Sequence, residues 1–437
     1  MAFARAIAIF TITVSLLTFV AFFGRLPAFR NTPIGFLHRL LVLHIPSALR
    51  NLDIKLTNGR ITNGGARLGH YLMNDKHPVV MIFFLGLVTI SAGLFVPTVW
   101  HLLPTRHKLL IPLVVPLPYL FTYLCARRNN ETMIHELNHA AQMRHYPYDR
   151  ILFFPGQCCS TCKFLKPARS KHCSICKSCV SRMDHHCVWV NNCLGRGNYK
   201  WFLALLFFTG VMIAYGAYLA YIALTPMVEF NYKKYEGWYR YKPSPDADPT
   251  SWGMYLDMKL HYFLTYLTIY IEEGGISAAG VGLLALLTWP LPLGLLAYQL
   301  YLVYAGMTTN ESAKWSDWRD DIADGVVFLG QRKEETFRDY LPRQSNLNGS
   351  ARSSSSRSAF PTLPETPPED EEPPTTWPLE SKHILIRTTN GQPPNNLPPR
   401  IKSVADKESF VRVWDLGAVQ NVYDLGFWDN LLNILKN

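Results

Sequence analysis

The chain has 437 residues, 49% of them apolar, and carries 43 Lys and Arg against 32 Asp and Glu for a formal charge of +11. That length could fill two or three soluble domains, but long uninterrupted apolar runs exclude an ordinary soluble protein and point to a membrane protein with modest aqueous parts. The charge suits nucleic acid, anionic lipid or a phosphate-bearing ligand alike, so its distribution must decide.

Residues 6–24 are apolar except for hydroxyls and precede Arg25, which is long enough to cross a hydrocarbon core about 30 Å thick. A cleaved signal peptide is the competitor. The run is long for such a segment and has no clean small-residue cleavage site, so 1–30 reads as an N-terminal transmembrane anchor. Residues 78–100 and 109–125 predict a second and third span, a hairpin over 78–125 in which Pro112, Pro116 and Pro118 weaken the second arm. Residues 126–200 hold eight of the nine cysteines. Residues 201–225 predict a fourth span and 276–305 a fifth, a pair over 201–305 joined by a loop at 226–275. Residues 306–342 are charged and mixed. Residues 343–400, rich in Ser, Pro, Asn and acidic groups, predict a disordered linker, because such a segment buries too little apolar surface to offset its ordering entropy. Aromatic and aliphatic residues return over 401–437 and predict a terminal element that packs back on the protein.

Lys and Arg are retained on the cytoplasmic side of a membrane. Residues 25–77 carry eight of them against two Asp, 126–200 carry twelve against four acidic residues, and 226–275 carry five against seven. Five spans then place the N terminus in the lumen, the cysteine segment and C terminus in the cytosol, and 226–275 in the lumen. The fold class expected is an all-α polytopic membrane protein of about five transmembrane helices with a cytosolic, zinc-stabilised cysteine-rich domain. The Asn-x-Ser/Thr sites at Asn130, Asn310 and Asn348 all fall on the cytosolic side and are expected to carry no N-glycan.

Eight of the nine cysteines lie between Cys158 and Cys193, interleaved with histidines. CxxC pairs with His on a basic segment read as metal sites in a reducing compartment rather than a disulfide framework. Zinc takes four N or S ligands, and there are enough here for two ions, whose binding would stabilise a segment too short for its own core. Ten candidates face eight coordination positions, so two are surplus. A structural zinc module has no use for a spare Cys and His beside Asp184, whereas a cysteine nucleophile needs a base and an orienting carboxylate. Counting alone leaves open which of His185 and His186 is the base.

The spaced string Cys159-x2-Cys162, Lys166-Pro167-x-Arg169, His172-Cys173-x2-Cys176-x2-Cys179, Asp184-His185-His186-Cys187, Trp189, Asn192-Cys193, Gly195 and Asn198 resembles the cysteine-rich domain of DHHC-type protein S-acyltransferases. The resemblance implies that Cys159, Cys162, His172 and Cys179 bind one zinc and Cys173, Cys176, His186 and Cys193 another. It implies Cys187 as nucleophile, His185 as general base and Asp184 as its orienting partner. Thr308-Thr309-Asn310-Glu311 resembles the family's TTxE motif, whose second Thr is expected at the catalytic Asp, and Asn421 to Gly426 resembles its C-terminal motif, with Asn421 and Tyr423 as packing supports. Val188 stands where most members have Pro, and no Asp-Pro-Gly motif precedes Cys159. With the extra N-terminal span, Val188 resembles the fungal spore-wall-formation branch, which implies an endoplasmic reticulum enzyme acting on integral membrane proteins with juxtamembrane cysteines.

The implied reaction takes palmitoyl-CoA or a related acyl-CoA as co-substrate and passes through a Cys187 acyl-enzyme. Its tail would lie between helices or in the lipid bilayer, since each buried methylene is worth about 0.8 kcal/mol. Lys163, Lys166, Arg169 and Lys171 are candidates for the CoA phosphates, although a solvated cationic face against anionic lipid explains them equally well. Three rivals compete. His135-Glu136-Leu137-Asn138-His139 fits the HExxH metalloprotease pattern, with His145 at the offset of a third ligand, but Gln142 stands where a turning Gly is needed. A membrane-anchored zinc scaffold would leave Asp184, His185 and Cys187 without a purpose. A nucleic-acid partner is not expected, because spans are present and a helix-borne basic stripe is not. Cys125 and Cys158 read as bystanders.

Overall fold

A computed structural model describes residues 31–243, 251–333 and 375–436, with isolated positions before them. The anchor expected over 1–30 therefore lies outside the described residues, as do Asn348 and most of the linker. The chain divides into two compact units, residues 1–115 with 211–289, and residues 116–210 with 290–437. Four helical stretches among the described residues are long and apolar enough to cross a membrane: Val79–Leu102, Thr105–Ala126, Tyr199–Lys234 and Trp252–Tyr304.

In the first unit, Ile45–Thr57 and Arg60–Asn74 form a helical hairpin turned by Asn58 and Gly59, both left-handed. Asp53 accepts from the Thr62 backbone and hydroxyl and so pins the second helix to the first. The core of this unit is built from Phe95, Val99, Ile111, Leu219, Ala220 and Ala279. Two expectations change here. The loop expected over 226–275 is largely helical, because one helix runs on to Lys234 and another, Trp252–Gly275, fills its second half. That 24-residue helix carries Asp257, Lys259, Glu272 and Glu273 among aromatics, and these charges had marked it as aqueous. At about 1.5 Å per residue the 53-residue stretch is far longer than one bilayer crossing. Gly275, at φ +57°, and the π turn Ile276–Gly280 divide it. The third span is likewise two helices, Thr105–Val114 and Leu117–Ala126, because Pro116 and Pro118 lack the N–H groups that would continue the first.

Among the described residues, the eight strands all belong to the second unit. The hairpin β2 (Lys171–Cys173) with β3 (Ser178–Val180) is extended by β1 (Met133–Ile134); β4 (His185–Cys187) pairs with β5 (Asn192–Leu194). A third sheet has the order β7 (His383–Arg387), β6 (Val327–Gln331), β8 (Val411–Arg412). β7 corrects the linker assignment: residues 375–400 are ordered. Ile384 and Leu385 are buried, and Trp377 enters a core with Tyr146, Phe153, Trp315 and Tyr423. Those few apolar residues were masked in the sequence by the polar composition around them.

The Pro290–Tyr304 helix ends in a Schellman turn. Met307 N–H reaches Leu302 O and Gly306 N–H reaches Val303 O, with Gly306 at φ +64°. A Cβ on Gly306 would fall 2.5 Å from the Asp424 Cα, so glycine is required both for the turn and for the approach of the C-terminal segment. Asn421 and Asn430 then donate their side-chain amides to the carbonyls of Ala305 and Val303, each at 3.0 Å. Residues of the 401–437 segment thereby satisfy carbonyls that the end of this helix leaves open.

Candidate active site

Each metal-type cluster combines a CxxC knuckle with a cross-strand pair. Cys159 and Cys162 meet His172 and Cys179, which lie opposite each other on β2 and β3; Cys173 and Cys176 meet His186 and Cys193, opposite each other on β4 and β5. A tetrahedral zinc with usual bond lengths spaces its S and N donors about 3.6 Å apart. His172 Nδ1 lies 3.5, 3.4 and 3.8 Å from the Sγ atoms of Cys159, Cys162 and Cys179. His186 Nδ1 lies 3.8, 3.4 and 3.5 Å from those of Cys173, Cys176 and Cys193. Both donor sets therefore fit the ion. In each knuckle the later cysteine's N–H points at the earlier sulfur at 3.4 Å, the bond a thiolate accepts best.

Strand alternation separates the two histidines. Successive side chains on β4 point to opposite faces, so His186 turns to the second cluster while His185 and Cys187 share the other face. Asp184 Oδ2 accepts from His185 Nδ1–H at 2.6 Å, and Cys187 lies close enough to the ring to influence its charge. Burial works against charging the ring, yet these two partners outweigh it and raise the His185 pKa to about 9.

Asp184 is 2% exposed and accepts from three donors. His185 Nδ1–H approaches Oδ2 at 2.6 Å, the Thr309 hydroxyl reaches Oδ2 at 3.0 Å, and the Thr309 N–H reaches Oδ1 at 2.8 Å. Thr309 opens the Thr309–Ala323 helix, so that backbone N–H is one a helix start leaves without an internal partner. Thr308 and Glu311 close a capping box on the same turn.

Glu311 has a second task that corrects one expectation. Arg169, a candidate for a CoA phosphate, is 2% exposed and places its fork on Glu311, Nε to Oε1 at 2.7 Å and Nη2 to Oε2 at 2.5 Å, with Nη2 also reaching Gly306 O at 3.1 Å. Its guanidinium lies 4.4 Å from the Tyr423 ring centre and 5.1 Å from that of Tyr146. A guanidinium so enclosed has no face left for a phosphate. Lys163 and Lys171 are exposed and Lys166 half-buried; Lys171 Nζ donates to Asn310 Oδ1 at 2.9 Å. The two motif asparagines tie β5 to the end of the Leu117–Ala126 helix. Asn192 Nδ2 and Asn198 Nδ2 both donate to Cys125 O, at 3.0 and 3.2 Å.

Cys187 is buried beside Cys125, Val190, Phe202, Leu203 and Val303, so the thiol faces an apolar cluster shared by the membrane helices. Two residues that motif reasoning missed stand behind it. Tyr199 and Gln299 are both buried, and the Tyr199 hydroxyl donates to Gln299 Oε1 at 2.7 Å. A lone Gln in an apolar span was the signal available in the sequence. The HExxH pattern assembles nothing comparable: His135 caps the Glu136–Gln142 helix, His139 bonds Leu165 O at 2.7 Å, and His145 lies against Arg196. Among the described residues only the two Cys3His sets cluster as metal donors.

Comparison with known proteins agrees with this geometry. The family model described as DHHC palmitoyltransferase matches residues 153–316. A Palmitoyltransferase SWF1 of Neurospora crassa is 40% identical over 423 residues, covering 96% of this chain and 89% of the relative. Its counterpart in Emericella nidulans is 38% identical, covering 99% and 97%, and one in Schizosaccharomyces pombe is 33% identical over 72% of this chain and 81% of the relative.

Proposed function

This chain belongs to the DHHC palmitoyltransferase family, and from that footing we propose that it transfers a long-chain acyl group from acyl-CoA to cysteines of membrane proteins through Cys187. The observation that carries the proposal is the line Thr309–Asp184–His185–Cys187, in which a buried carboxylate holds Nδ1–H of the imidazole and leaves Nε2 for the thiol. Cys187 gives its thiol proton to His185 beforehand, a transfer the raised basicity of the ring favours, the thiolate attacks the thioester carbonyl, and the imidazolium returns that proton to the departing CoA sulfur. A substrate thiol then attacks the acyl-Cys187 bond, again giving its proton to His185, and Cys187 regains a proton as it leaves. One thioester is exchanged for another at each step, so no outside energy source is needed.

Two zinc ions in the Cys3His sets would supply folding energy and hold β4 in place. The acyl tail would lie against the apolar side chains around Cys187, which favours substrates whose cysteines sit beside transmembrane segments. Lys163, Lys166 and Lys171 remain the candidates for the CoA phosphates, and Asn421 for a support of the helix end. The excess of Lys and Arg over 25–77 and 126–200 favours a cytosolic site and C terminus, and we assign the protein to the endoplasmic reticulum membrane. The test is hydroxylamine-sensitive labelling of the purified protein with a clickable palmitoyl-CoA analogue, comparing parent and Cys187→Ser at matched zinc content. Label that disappears in Cys187→Ser supports the acyl-enzyme; label that persists undiminished refutes it.

A further inference from the structure

Behind the Asp184–His185 pair runs a hydrogen-bond chain that none of the sequence motifs contains. Tyr199 OH donates to Gln299 Oε1 at 2.7 Å, Gln299 Nε2 donates to Thr309 Oγ1 at a longer 3.4 Å, and Thr309 Oγ1 donates to Asp184 Oδ2 at 3.0 Å. Tyr199, Gln299 and Asp184 are each no more than 3% exposed, so water does not compete for these groups. We propose that Gln299 and Tyr199 are positioning residues that fix the direction of this chain and so keep the Thr309 hydroxyl donating to Asp184. The inference rests on the acyl-enzyme reading above.

The argument is one of donors and acceptors. A carboxylate only accepts, so Thr309 must point its proton at Asp184, and its oxygen must then accept from elsewhere. A side-chain amide can face Thr309 with either end. With Nε2 forward it donates, and the Thr309 proton stays on Asp184. With Oε1 forward it takes that proton, and Asp184 loses a donor. Tyr199 selects the first state, because its hydroxyl donates most strongly to the amide oxygen and draws that end toward itself. A buried amide whose only task was to join two helices would need one partner; this one has a partner at each end, and the second is the residue that touches Asp184.

The test measures acylation of the full-length protein by palmitoyl-CoA in a single turnover, with half-saturating concentration, zinc content and thermal unfolding followed in parallel. Tyr199→Phe removes one oxygen and is expected to slow acylation about fivefold, and Gln299→Leu about tenfold or more, with half-saturation changed by less than about twofold. The pair Tyr199→Phe with Gln299→Leu removes the orphaned hydroxyl. It is expected to recover thermal stability over Gln299→Leu while remaining as slow as that single variant, a split that a packing role would not give. The proposal is overturned if Tyr199→Phe acylates at the parent rate, or if the pair recovers rate together with stability. Should Gln299→Leu lose zinc, Tyr199→Phe alone decides. Label persisting in Cys187→Ser would instead remove the acyl-enzyme reading itself, so the two failures are distinguishable.

Discussion

Replacing Glu311 by Gln tests how much of the site's integrity depends on one buried charge. The substitution keeps the side-chain length and an oxygen able to accept the Thr308 N–H, so the capping box is retained. It removes the countercharge of Arg169, whose fork makes two short bonds to this carboxylate with 2% and 1% of the two side chains exposed. Removing one member of a buried pair leaves the other charge uncompensated, at a cost of about 3–5 kcal/mol. Gly306 O and the two tyrosine rings still face the guanidinium, which places the expectation at about 3 kcal/mol. For a unit of this size a kilocalorie moves the unfolding midpoint by about 2–4 °C, so Glu311→Gln should melt about 6–12 °C below the parent. Thermal unfolding in detergent, read by tryptophan emission, measures it; Trp315 lies on the affected helix and is buried. The apolar pair Arg169→Met with Glu311→Leu should lose much less than the single change, because no charge is stranded. A midpoint for Glu311→Gln within about 1 °C of the parent would refute the reasoning.

Thr309→Ala keeps the backbone bond to Asp184 Oδ1 but loses the hydroxyl to Oδ2, and acylation by palmitoyl-CoA should slow about tenfold while zinc content holds. Cys193→Ser or prolonged chelation should open the 157–196 segment, seen as new protease sites and newly reactive thiols, because both cysteine sets are built across strands of only three residues. Asp149 gives a pH test. Burial raises its pKa to about 6 despite three backbone N–H bonds. The native state then binds more protons than the unfolded state between the ordinary value of 3.8 and about 6. Stability from this group is therefore greatest below that window and falls as pH rises through it, by about 3 kcal/mol in all. Asp149→Asn keeps the accepting oxygen and should flatten that part of the profile; a slope between pH 5 and 6.5 unchanged from the parent would count against it.

The chemistry was legible in the sequence because zinc and thiol chemistry constrain residue type and spacing at short range. The Asp-His-His-Cys run and the Thr-Thr-Asn-Glu turn are each four consecutive residues and each Cys3His set spans only about twenty positions, and the structure places the donor atoms of each set near one another and Thr309 against Asp184. What the sequence hid was long range. Arg169 looked like a phosphate ligand because it sits among lysines, and only the fold sets it opposite Glu311, 142 positions away. Trp377 and β7 were lost inside a polar segment because composition averages over residues that tertiary contacts select singly. The helix Trp252–Gly275 was read as a loop because charge counts report which side of a membrane a segment occupies, not whether its backbone is helical.

The reactive strand has little core of its own, and that explains where its precision comes from. β4 is three residues long, too short by itself to hold Cys187 within the fractions of an ångström that the proposed nucleophile would need. Three kinds of anchor compensate. A bound zinc would hold the side of β4 that carries His186, through the second Cys3His set. Hydrogen bonds donated by the side-chain amides of Asn192 and Asn198 fasten its partner strand to the carbonyl end of a membrane helix. On the Asp184 side, the first turn of the Thr309–Ala323 helix supplies two donors, and that turn is in turn fixed by Arg169, Glu311 and the asparagines of the C-terminal segment. The position of the thiol is thus inherited from helix ends rather than from a local core. Substitutions at Gln299, Glu311 or Asn421, none of which forms a bond to Cys187, are accordingly expected to act on the acylation step as well as on stability.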